Sequence, residues 1–415
     1  ALGIYSPVRE EFKYCSEEGG FPLTLSYAIV VLMAGDWLRR LLNTRRSDLW
    51  RGPGPTALDY HQGRIATSKR KLTEHPCDDC GCAAARRWSL KLRLCVIGCG
   101  RFARIFAASL VGARDTVDLY FASRDHSRAR AYSDEFDGLG AFGSYEDAAA
   151  APEIDALYIC TPHDLHLEHT LLAATARKHI LLEKPIARTT QEARSIISAV
   201  TDAGVKLMVA ENYRFLAPVM EAKRVIESGA LGQVRLVQLQ EEYPFFPDSW
   251  RNDRERNGGG VFIDGGIHKA SVLAYLTGQP DQVYAVQVPS GNPGLDAEDG
   301  IIVTTRSPSG VVGIINHTWS VGKPTERPWV SVTGTLANLN FEMGRDWLKI
   351  DYGDSQETRR FGGDHRGIIA MVLEFRRCIL EGSEPSMTGE EGLKDLALVL
   401  KAYESVQSGL PAKLD

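Results

Sequence analysis

The segment Leu94-Cys-Val-Ile-Gly98-Cys-Gly100-Arg-Phe-Ala103 places a glycine-rich turn directly after an apolar strand. Gly98 permits a tight turn, Gly100 lets the backbone approach a pyrophosphate, and Ala103 permits close packing of the following helix on the sheet. The start of that helix presents unpaired N–H groups and a partial positive charge to phosphate oxygens. The order strand, turn, helix therefore predicts a dinucleotide-binding loop.

From this loop onward, short apolar runs alternate with segments of helical periodicity. Strands are predicted at residues 92–97, 117–122, 156–160, 179–182 and 206–209, with helices between them such as 165–177 and 190–203. Alternating strands and helices with short connections predict an α/β fold, here a doubly wound parallel sheet of the Rossmann type. We expect this domain to span residues 91–211.

The pattern changes after about residue 210. A helix is predicted at 218–228, a long strand at 234–243 and a helix at 264–277; strands follow at 283–288, 300–306, 311–320, 329–333 and 338–342, and helices at 367–381 and 389–408. Consecutive strands without helices between them predict a large open mixed or antiparallel sheet. We expect residues 212–415 to form an α+β domain that binds substrate and joins subunits into a homo-oligomer.

Composition excludes several classes of function. The 415 residues carry a formal net charge of −5, so there is no basic surplus with which to bind nucleic acid. The apolar run 21–35 is too short and too interrupted to span a membrane and is predicted to be a buried helix. Eight scattered cysteines indicate reduced, cytoplasmic usage rather than a disulfide framework.

The end of the second predicted strand reads Ser123-Arg124-Asp125. An acidic residue at this place grips the ribose 2′-hydroxyl of NAD, whereas an arginine accommodates the 2′-phosphate of NADP. Ser123 and Arg124 supply a hydroxyl and a guanidinium that can bind phosphate. A shift of one residue would make Asp125 the ribose ligand, so NADP is preferred and NAD stays open.

Three further residues form a candidate catalytic set. Lys184 ends an apolar strand in Glu183-Lys184-Pro185, and Asp264 and His268 lie at the start of the helix that follows a run of three glycines. Being four residues apart, Asp264 and His268 share one face of a helix. An ammonium, an imidazole and a carboxylate to orient it suit proton removal from an alcohol while a cofactor takes the hydride. No metal is expected in this site.

The fourth predicted strand ends in Thr161-Pro162, which places hydrogen-bond donors at the carboxyl edge of the sheet, where open α/β folds bind ligands. His163 and His166 follow it. Either histidine could be an ordinary loop or helix-start residue, and the position of His166 beside the expected nicotinamide favours contact with the cofactor.

Several of these motifs, in this order, resemble the Gfo/Idh/MocA family, named after glucose–fructose oxidoreductase and inositol dehydrogenase. The resemblance covers residue 92 to the C-terminus and rests on Gly98-x-Gly100-x-x-Ala103, Thr161-Pro162-x-x-x-His166, Glu183-Lys184-Pro185, Glu211-Asn-Tyr-Arg-Phe215, Gly258-Gly-Gly-x-x-x-Asp264-x-Gly-x-His268, Thr388-Gly-Glu-Glu-Gly392 and Tyr403-Glu-Ser405. It implies that Lys184 binds the substrate hydroxyl, that His268 shuttles the proton, and that Asp264 orients substrate or histidine. It also implies a cis peptide bond before Pro185.

The cofactor and the substrate each have their own set of expected contacts. Residues expected to bind the cofactor are Gly98, Gly100, Arg101, Phe102, Ala103, Ser123, Arg124, Thr161, Pro162, His166, Glu183 and Lys184. Residues expected to bind a small-molecule substrate are Lys184, Tyr213, Arg251, Asp264 and His268, with Trp250 as an apolar wall. Phe215 and Trp319 are expected in the core.

Residues 1–90 form an extension that the family resemblance does not require, and their role stays open. His75, Cys77, Cys80 and Cys82 are cramped for a zinc site, which usually takes two Cys-x-x-Cys pairs. The segment 23–82 faintly resembles the tail of ThiF-class adenylating enzymes, whose core is absent.

The expected activity is NAD(P)-dependent hydride transfer to or from a secondary alcohol or ketone of a sugar, nucleotide sugar, cyclitol or related polyol. An imine reductase in natural-product or peptide modification is one alternative. A catalytically inactive NADP-binding regulatory protein is another, although such a protein has no use for the full set of Lys184, Asp264 and His268.

Overall fold

The computed structural model describes residues 90–247, 249–322, 327–342 and 344–414. The first part of this region is a parallel six-stranded sheet in the order β3-β2-β1-β4-β5-β6. Its strands are β1 (Leu92–Ile97), β2 (Val117–Ala122), β3 (Gly140–Phe142), β4 (Ala156–Ile159), β5 (His179–Glu183) and β6 (Leu207–Ala210). Its helices are α1 (Arg101–Ser109), α2 (His126–Glu135), α3 (Tyr145–Ala150), α4 (His166–Thr175) and α5 (Thr190–Ala203).

This sheet forms because its central strands are apolar on both faces and are covered by helices. Every residue of the central strand β4 is buried, and so is every residue of the edge strand β6, as is typical of strands in a parallel sheet. The helices have clear end signals: the Thr189 side chain accepts a hydrogen bond from Glu192 N at the start of α5, and Gly204 ends it with φ of 66°. The predicted Rossmann-type topology is confirmed.

The second part is a nine-stranded sheet in the order β14-β13-β12-β11-β7-β10-β9-β8-β15. Its strands are β7 (Val234–Glu242), β8 (Gln282–Gln287), β9 (Gly300–Arg306), β10 (Val312–Thr318), β11 (Val330–Gly334), β12 (Asn338–Phe341), β13 (Trp347–Asp351), β14 (Gln356–Arg360) and β15 (Ala412–Lys413). The associated helices are α6 (Ala217–Glu227), α7 (Arg254–Asn257), α8 (Ile267–Thr277), α9 (Ile368–Glu381) and α10 (Gly389–Ser408). The pairing is antiparallel except between β7 and β10, which run parallel, so the expectation of a mixed sheet is confirmed.

The structure differs from the prediction in a few elements. Strands β3, β13, β14 and β15 were not predicted. The predicted helix 264–277 is a π-helical turn over Phe262–Gly266 followed by α8. The apolar run 21–35 and the cysteine cluster at 77–82 lie outside the described residues.

Parallel strands place the candidate site at one edge of the first sheet. Gly98 follows β1, Thr161 follows β4 and Lys184 follows β5, and these three strands are direct neighbours. Their carboxyl ends therefore meet at the same edge, which is where ligands bind in open α/β sheets.

Candidate active site

The turn after β1 has the geometry of a dinucleotide-binding loop. Gly98 has φ of 94°, and a Cβ there would lie 2.7 Å from the Cys160 carbonyl oxygen, so the turn and the close contact both require glycine. A Cβ at Gly100 would meet no described atom within 4 Å. No described side chain caps the first N–H groups of α1. The loop therefore leaves open space and free donors that fit a pyrophosphate.

Of the residues after β2, Ser123 and Asp125 make local hydrogen bonds, whereas Arg124 is exposed. The Asp125 carboxylate accepts hydrogen bonds from Ser127 N at 3.0 Å, Ser127 Oγ at 2.6 Å and Arg128 N at 3.4 Å, and so caps α2. Ser123 Oγ accepts from Asp125 N at 3.2 Å. Arg124 is exposed. Because Asp125 already serves as a helix cap, the guanidinium of Arg124 is the group at this strand end that is open to a ligand.

Lys184 and Asp264 meet, as the sequence predicts. The Lys184–Pro185 peptide bond is cis. Lys184 Nζ donates to the Asp264 carbonyl oxygen at 2.7 Å and to Asp264 Oδ1 at 3.1 Å. Burial alone would raise the pKa of the Asp264 carboxyl, but the Lys184 ammonium and the Arg251 guanidinium hold that pKa well below its usual range. Asp264 is therefore a carboxylate with two cationic partners.

Arg251 is the second of those partners. Its Nε donates to Asp264 Oδ2 at 2.8 Å, and its guanidinium carbon lies 4.4 Å from the ring centroid of Trp250. The bond and the stacked ring fix the arginine beside Lys184. Trp250 therefore supports Arg251, and the contact of either residue with a substrate stays a prediction.

The carboxylate bonded to His268 belongs to Glu211 and not to Asp264, so of the two expected roles of Asp264 only the orientation of the substrate stays a prediction. His268 Nδ1 lies 2.7 Å from Glu211 Oε1, and both side chains are buried. Burial would raise the pKa of Glu211, but the charge and hydrogen bond of His268 hold it below its usual value. The Tyr213 ring stacks on the imidazole with centroids 3.9 Å apart. The π-helical turn explains the difference, because its wider spacing replaces the regular i,i+4 geometry assumed for Asp264 and His268.

The turn that carries Asp264 is held from the C-terminal helix α10. Tyr403 Oη accepts from Ile263 N at 3.0 Å and Gly260 N at 3.3 Å, and donates to Glu298 Oε1 at 2.7 Å. A Cβ at Gly260 would lie 2.1 Å from the Glu298 carbonyl oxygen. Gly260 must therefore be a glycine, because the Glu298 backbone lies too close for a Cβ. The hydrogen bonds of Tyr403 fix the backbone that leads into α8.

The two histidines after Thr161-Pro162 are both buried, and their ring nitrogens lie next to backbone carbonyl oxygens. His166 is 0% exposed, and its ring nitrogens lie 2.8 Å from the Pro185 carbonyl oxygen and 3.1 Å from that of Thr161. It therefore joins two loops of the sheet edge, and its contact with a cofactor stays a prediction. His163 Nδ1 lies 2.9 Å from the Asn257 carbonyl oxygen, so Nδ1 carries the proton and Nε2 is an acceptor. The only sequence signal for His163 was its place directly after Thr161-Pro162.

Glu183 is buried behind Lys184. It accepts a short hydrogen bond from Tyr158 Oη and a bond of 3.2 Å from Lys184 N. Burial raises the pKa of Glu183 to about 7, and the Lys184 charge opposes this shift. Glu183 thus supports the strand end that presents the lysine. As expected, Phe215 and Trp319 are buried.

Two kinds of feature are absent from the residues that the structure describes. No group of three or more His, Cys, Asp or Glu side chains there is arranged to hold a metal ion. Within that same part of the chain, no helix is long and apolar enough to cross a membrane.

Two family models match the chain. The model of the oxidoreductase family with an NAD-binding Rossmann fold, GFO_IDH_MocA, matches residues 92–211. The model of the GFO/IDH/MocA C-terminal domain matches residues 219–340.

Individual relatives cover most of the chain. It is 28% identical over 339 residues to 1,5-anhydro-D-fructose reductase of Ensifer adhaerens, a match of 79% of this chain and 98% of that protein. It is 30% identical over 317 residues to trans-1,2-dihydrobenzene-1,2-diol dehydrogenase of Danio rerio, covering 72% and 91%. The crystal structure of aldose-aldose oxidoreductase from Caulobacter crescentus complexed with glycerol matches with a TM-score of 0.72 and 28% identity over 78% of this chain and 100% of that chain.

Proposed function

Because the chain belongs to the GFO/IDH/MocA family of NAD(P)-dependent oxidoreductases, we propose that it transfers a hydride between NADP and a secondary alcohol or ketone of a sugar, nucleotide sugar, cyclitol or related polyol. The observation that carries this proposal is the contact of Lys184 with Asp264 at the cofactor edge, beside the buried pair of Glu211 and His268. The sugar substrates named for the reductase and the aldose oxidoreductase above support the substrate class.

Lys184 and His268 have separate roles when the substrate alcohol is oxidised. Lys184 has three N–H donors, of which Asp264 accepts two, and the third binds the substrate hydroxyl. His268 keeps a proton on Nδ1, toward Glu211, so Nε2 accepts the hydroxyl proton as the carbonyl forms. Bound nicotinamide supplies the hydride acceptor. In reduction the same groups return the proton to the carbonyl oxygen.

The arrangement after β2 supports NADP as the preferred cofactor. Asp125 caps α2, while Ser123 and Arg124 remain to bind a 2′-phosphate. NAD stays the alternative cofactor, and the comparison of the two is tested below through Arg124.

The outer face of the second sheet supports a homo-oligomer. Strands β8, β9 and β10 are neighbours, and on their outer face the large apolar side chains of Tyr284, Val286, Ile302 and Val312 are exposed. Val286 and Ile302 lie directly opposite each other and Tyr284 is next to them on the same face, and an exposed apolar patch of this kind is typical of a subunit contact. Ile302→Glu should convert the oligomer to monomers in light scattering, and an unchanged mass would contradict the proposal.

A substrate panel tests the proposed activity. Purified protein is assayed with NADP and NAD against aldoses, cyclitols, anhydrosugars and their ketones, following nicotinamide absorbance. Lys184→Ala should lower turnover by orders of magnitude because the substrate hydroxyl loses its cation, with cofactor affinity nearly unchanged. A Lys184→Ala enzyme with wild-type turnover would refute the role of the lysine.

A further inference from the structure

A second buried charge pair joins α8 to strand β7. Lys269 follows His268 in α8 and is 1% exposed. Its ammonium donates a short hydrogen bond to Glu241 and one of 3.2 Å to the carbonyl oxygen of Gly265, the residue after Asp264. A buried ammonium is costly unless it is paired, so Glu241 and Lys269 form one unit.

Glu241 and His317 extend this unit across the sheet. They lie opposite each other on β7 and β10, and His317 Nδ1 is 3.6 Å from Glu241 Oε2. Burial lowers the pKa of His317 well below its usual value, and the charges of Lys269, His268, Asp264 and Lys184 also act on it. A Cβ at Gly265, the residue after Asp264, would lie 2.6 Å from His317 Nε2, so the cluster of Glu241, Lys269 and His317 borders the candidate site.

Glu241 is the open member of this cluster. Its side chain is 15% exposed, against 1% for Lys269 and 0% for His317. Oε2 takes the contacts with Lys269 and His317, whereas Oε1 makes no hydrogen bond to any residue that the structure describes. Oε1 is also not among the fully buried unpaired oxygens. A carboxylate oxygen free to accept hydrogen bonds thus lies within the region of Lys184, Asp264 and His268.

We propose that Glu241 is a substrate-binding residue, whose Oε1 accepts a hydrogen bond from a hydroxyl at a carbon other than the one that reacts. The hydrogen bond from Lys269 to Oε2 holds the carboxylate in place. The negative charge favours a neutral, polyhydroxylated ring here and disfavours a carboxylate or phosphate substituent at this position. The inference rests on the proposed function and narrows its substrate class to neutral sugars or cyclitols.

The test compares the best neutral substrate of the panel with its monodeoxy analogues and with the matching sugar acid. The wild type should use one monodeoxy analogue roughly 10- to 100-fold less efficiently, because a hydrogen bond to a charged group is lost. Glu241→Leu combined with Lys269→Met removes both charges together. It should lose a similar factor in kcat/KM on the parent compound and no longer distinguish the parent from that analogue.

Two further variants separate binding from folding. Glu242→Gln alters the neighbouring residue, whose carboxylate bonds Asn316 instead, and should leave the discrimination unchanged. Glu241→Gln keeps the side-chain volume and should show a smaller loss in the same direction. It provides the test if the double variant fails to fold. Cofactor binding and thermal unfolding verify the fold of each variant.

Three results would overturn the proposal or its premise. Unchanged discrimination in a folded Glu241 variant would show that the carboxylate does not contact substrate. Preference of the wild type for the sugar acid over its neutral parent would contradict the charge argument. No turnover of any sugar or polyol by the wild type would refute the proposed function before any variant is compared, and the subsite with it.

Discussion

Replacement of Glu211 by glutamine tests the assignment of Glu211 as the partner of His268. This partner is where the structure differs most from the sequence-based expectation. The substitution keeps the size of the side chain and leaves an oxygen where Tyr213 N donates at 3.1 Å. It removes the negative charge from the acceptor of His268 Nδ1, 2.7 Å away. The perturbation is therefore electrostatic and local to the imidazole.

The expected magnitude follows from the burial of the pair. The side chains of Glu211 and His268 are 2% and 11% exposed, so solvent screens their interaction little. A hydrogen bond to a charged group contributes about 1.5–3 kcal/mol, and about 1.4 kcal/mol is tenfold in rate. If His268 gains positive charge in the transition state, Glu211→Gln should lower kcat by roughly 10- to 150-fold.

The assay measures kcat, KM and cofactor affinity in the wild type and in Glu211→Gln. Because the pKa of Glu211 lies below its usual value, its carboxylate is charged throughout pH 5–9, and the loss in kcat should persist over that range. NADPH affinity by fluorescence titration should stay nearly constant. A Glu211→Gln enzyme with wild-type kcat at every pH would refute the assignment of this carboxylate to His268.

Asp155→Asn provides the matched control. Asp155 accepts hydrogen bonds from Arg93 N at 2.9 Å and Arg93 Nε at 3.0 Å, but it precedes β4 and so lies at the opposite edge of the sheet. The control should lose some stability and little kcat. Equal losses of kcat in both variants would indicate a general structural effect.

Three further predictions concern the cofactor, pH and the glycine run. Arg124→Ala should weaken NADPH more than NADH in fluorescence titrations, since only NADPH carries the 2′-phosphate; equal losses would remove the argument for NADP. The folded-state pKa of Glu183 is raised to about 7 from 4.5, so its stabilising effect is complete below about pH 4.5 and is lost as pH rises to about 7. Relative to Glu183→Gln, the wild type should therefore lose about 3 kcal/mol of unfolding free energy between pH 4.5 and 8 in urea titrations; parallel curves would contradict this. Gly260→Ala should cost about 1–3 kcal/mol or more and lower kcat, because a Cβ would lie 2.1 Å from the Glu298 carbonyl oxygen; Gly362→Ala, at an exposed glycine without positive φ and with no atom within 4 Å of the added Cβ, is the control, and equal effects would refute the steric reason.

Three of the four strands that sequence periodicity missed carry little pattern of their own. β3 has three residues and β15 has two, too few to show alternation. β14 has the sequence Gln-Glu-Thr-Arg-Arg and is mostly exposed, so it carries no apolar signal. These strands form because a neighbouring strand offers unpaired backbone groups, which is not a property of their own residues.

The order of the catalytic motifs, by contrast, determined much of the site in advance. The strand and glycine turn at Gly98 predicted a nucleotide edge, and Glu183-Lys184-Pro185 at the end of another parallel strand placed the lysine on it. The meeting of Lys184 with Asp264 followed from two motifs 80 residues apart. Local pattern was sufficient here because each residue lies at the end of an element whose direction the topology fixes.

What the sequence by itself determined is the nucleotide-binding fold, the sheet edge at which the candidate site lies, and the residue types present there. Only the tertiary structure decided which partner each side chain takes: Glu211 rather than Asp264 for His268, two carbonyl groups for His166, and Glu241 for Lys269. The reason is geometric. Periodicity fixes which face of an element a residue occupies, whereas a hydrogen bond needs two atoms within about 3 Å, and a single π-helical turn or strand register is enough to exchange one partner for another.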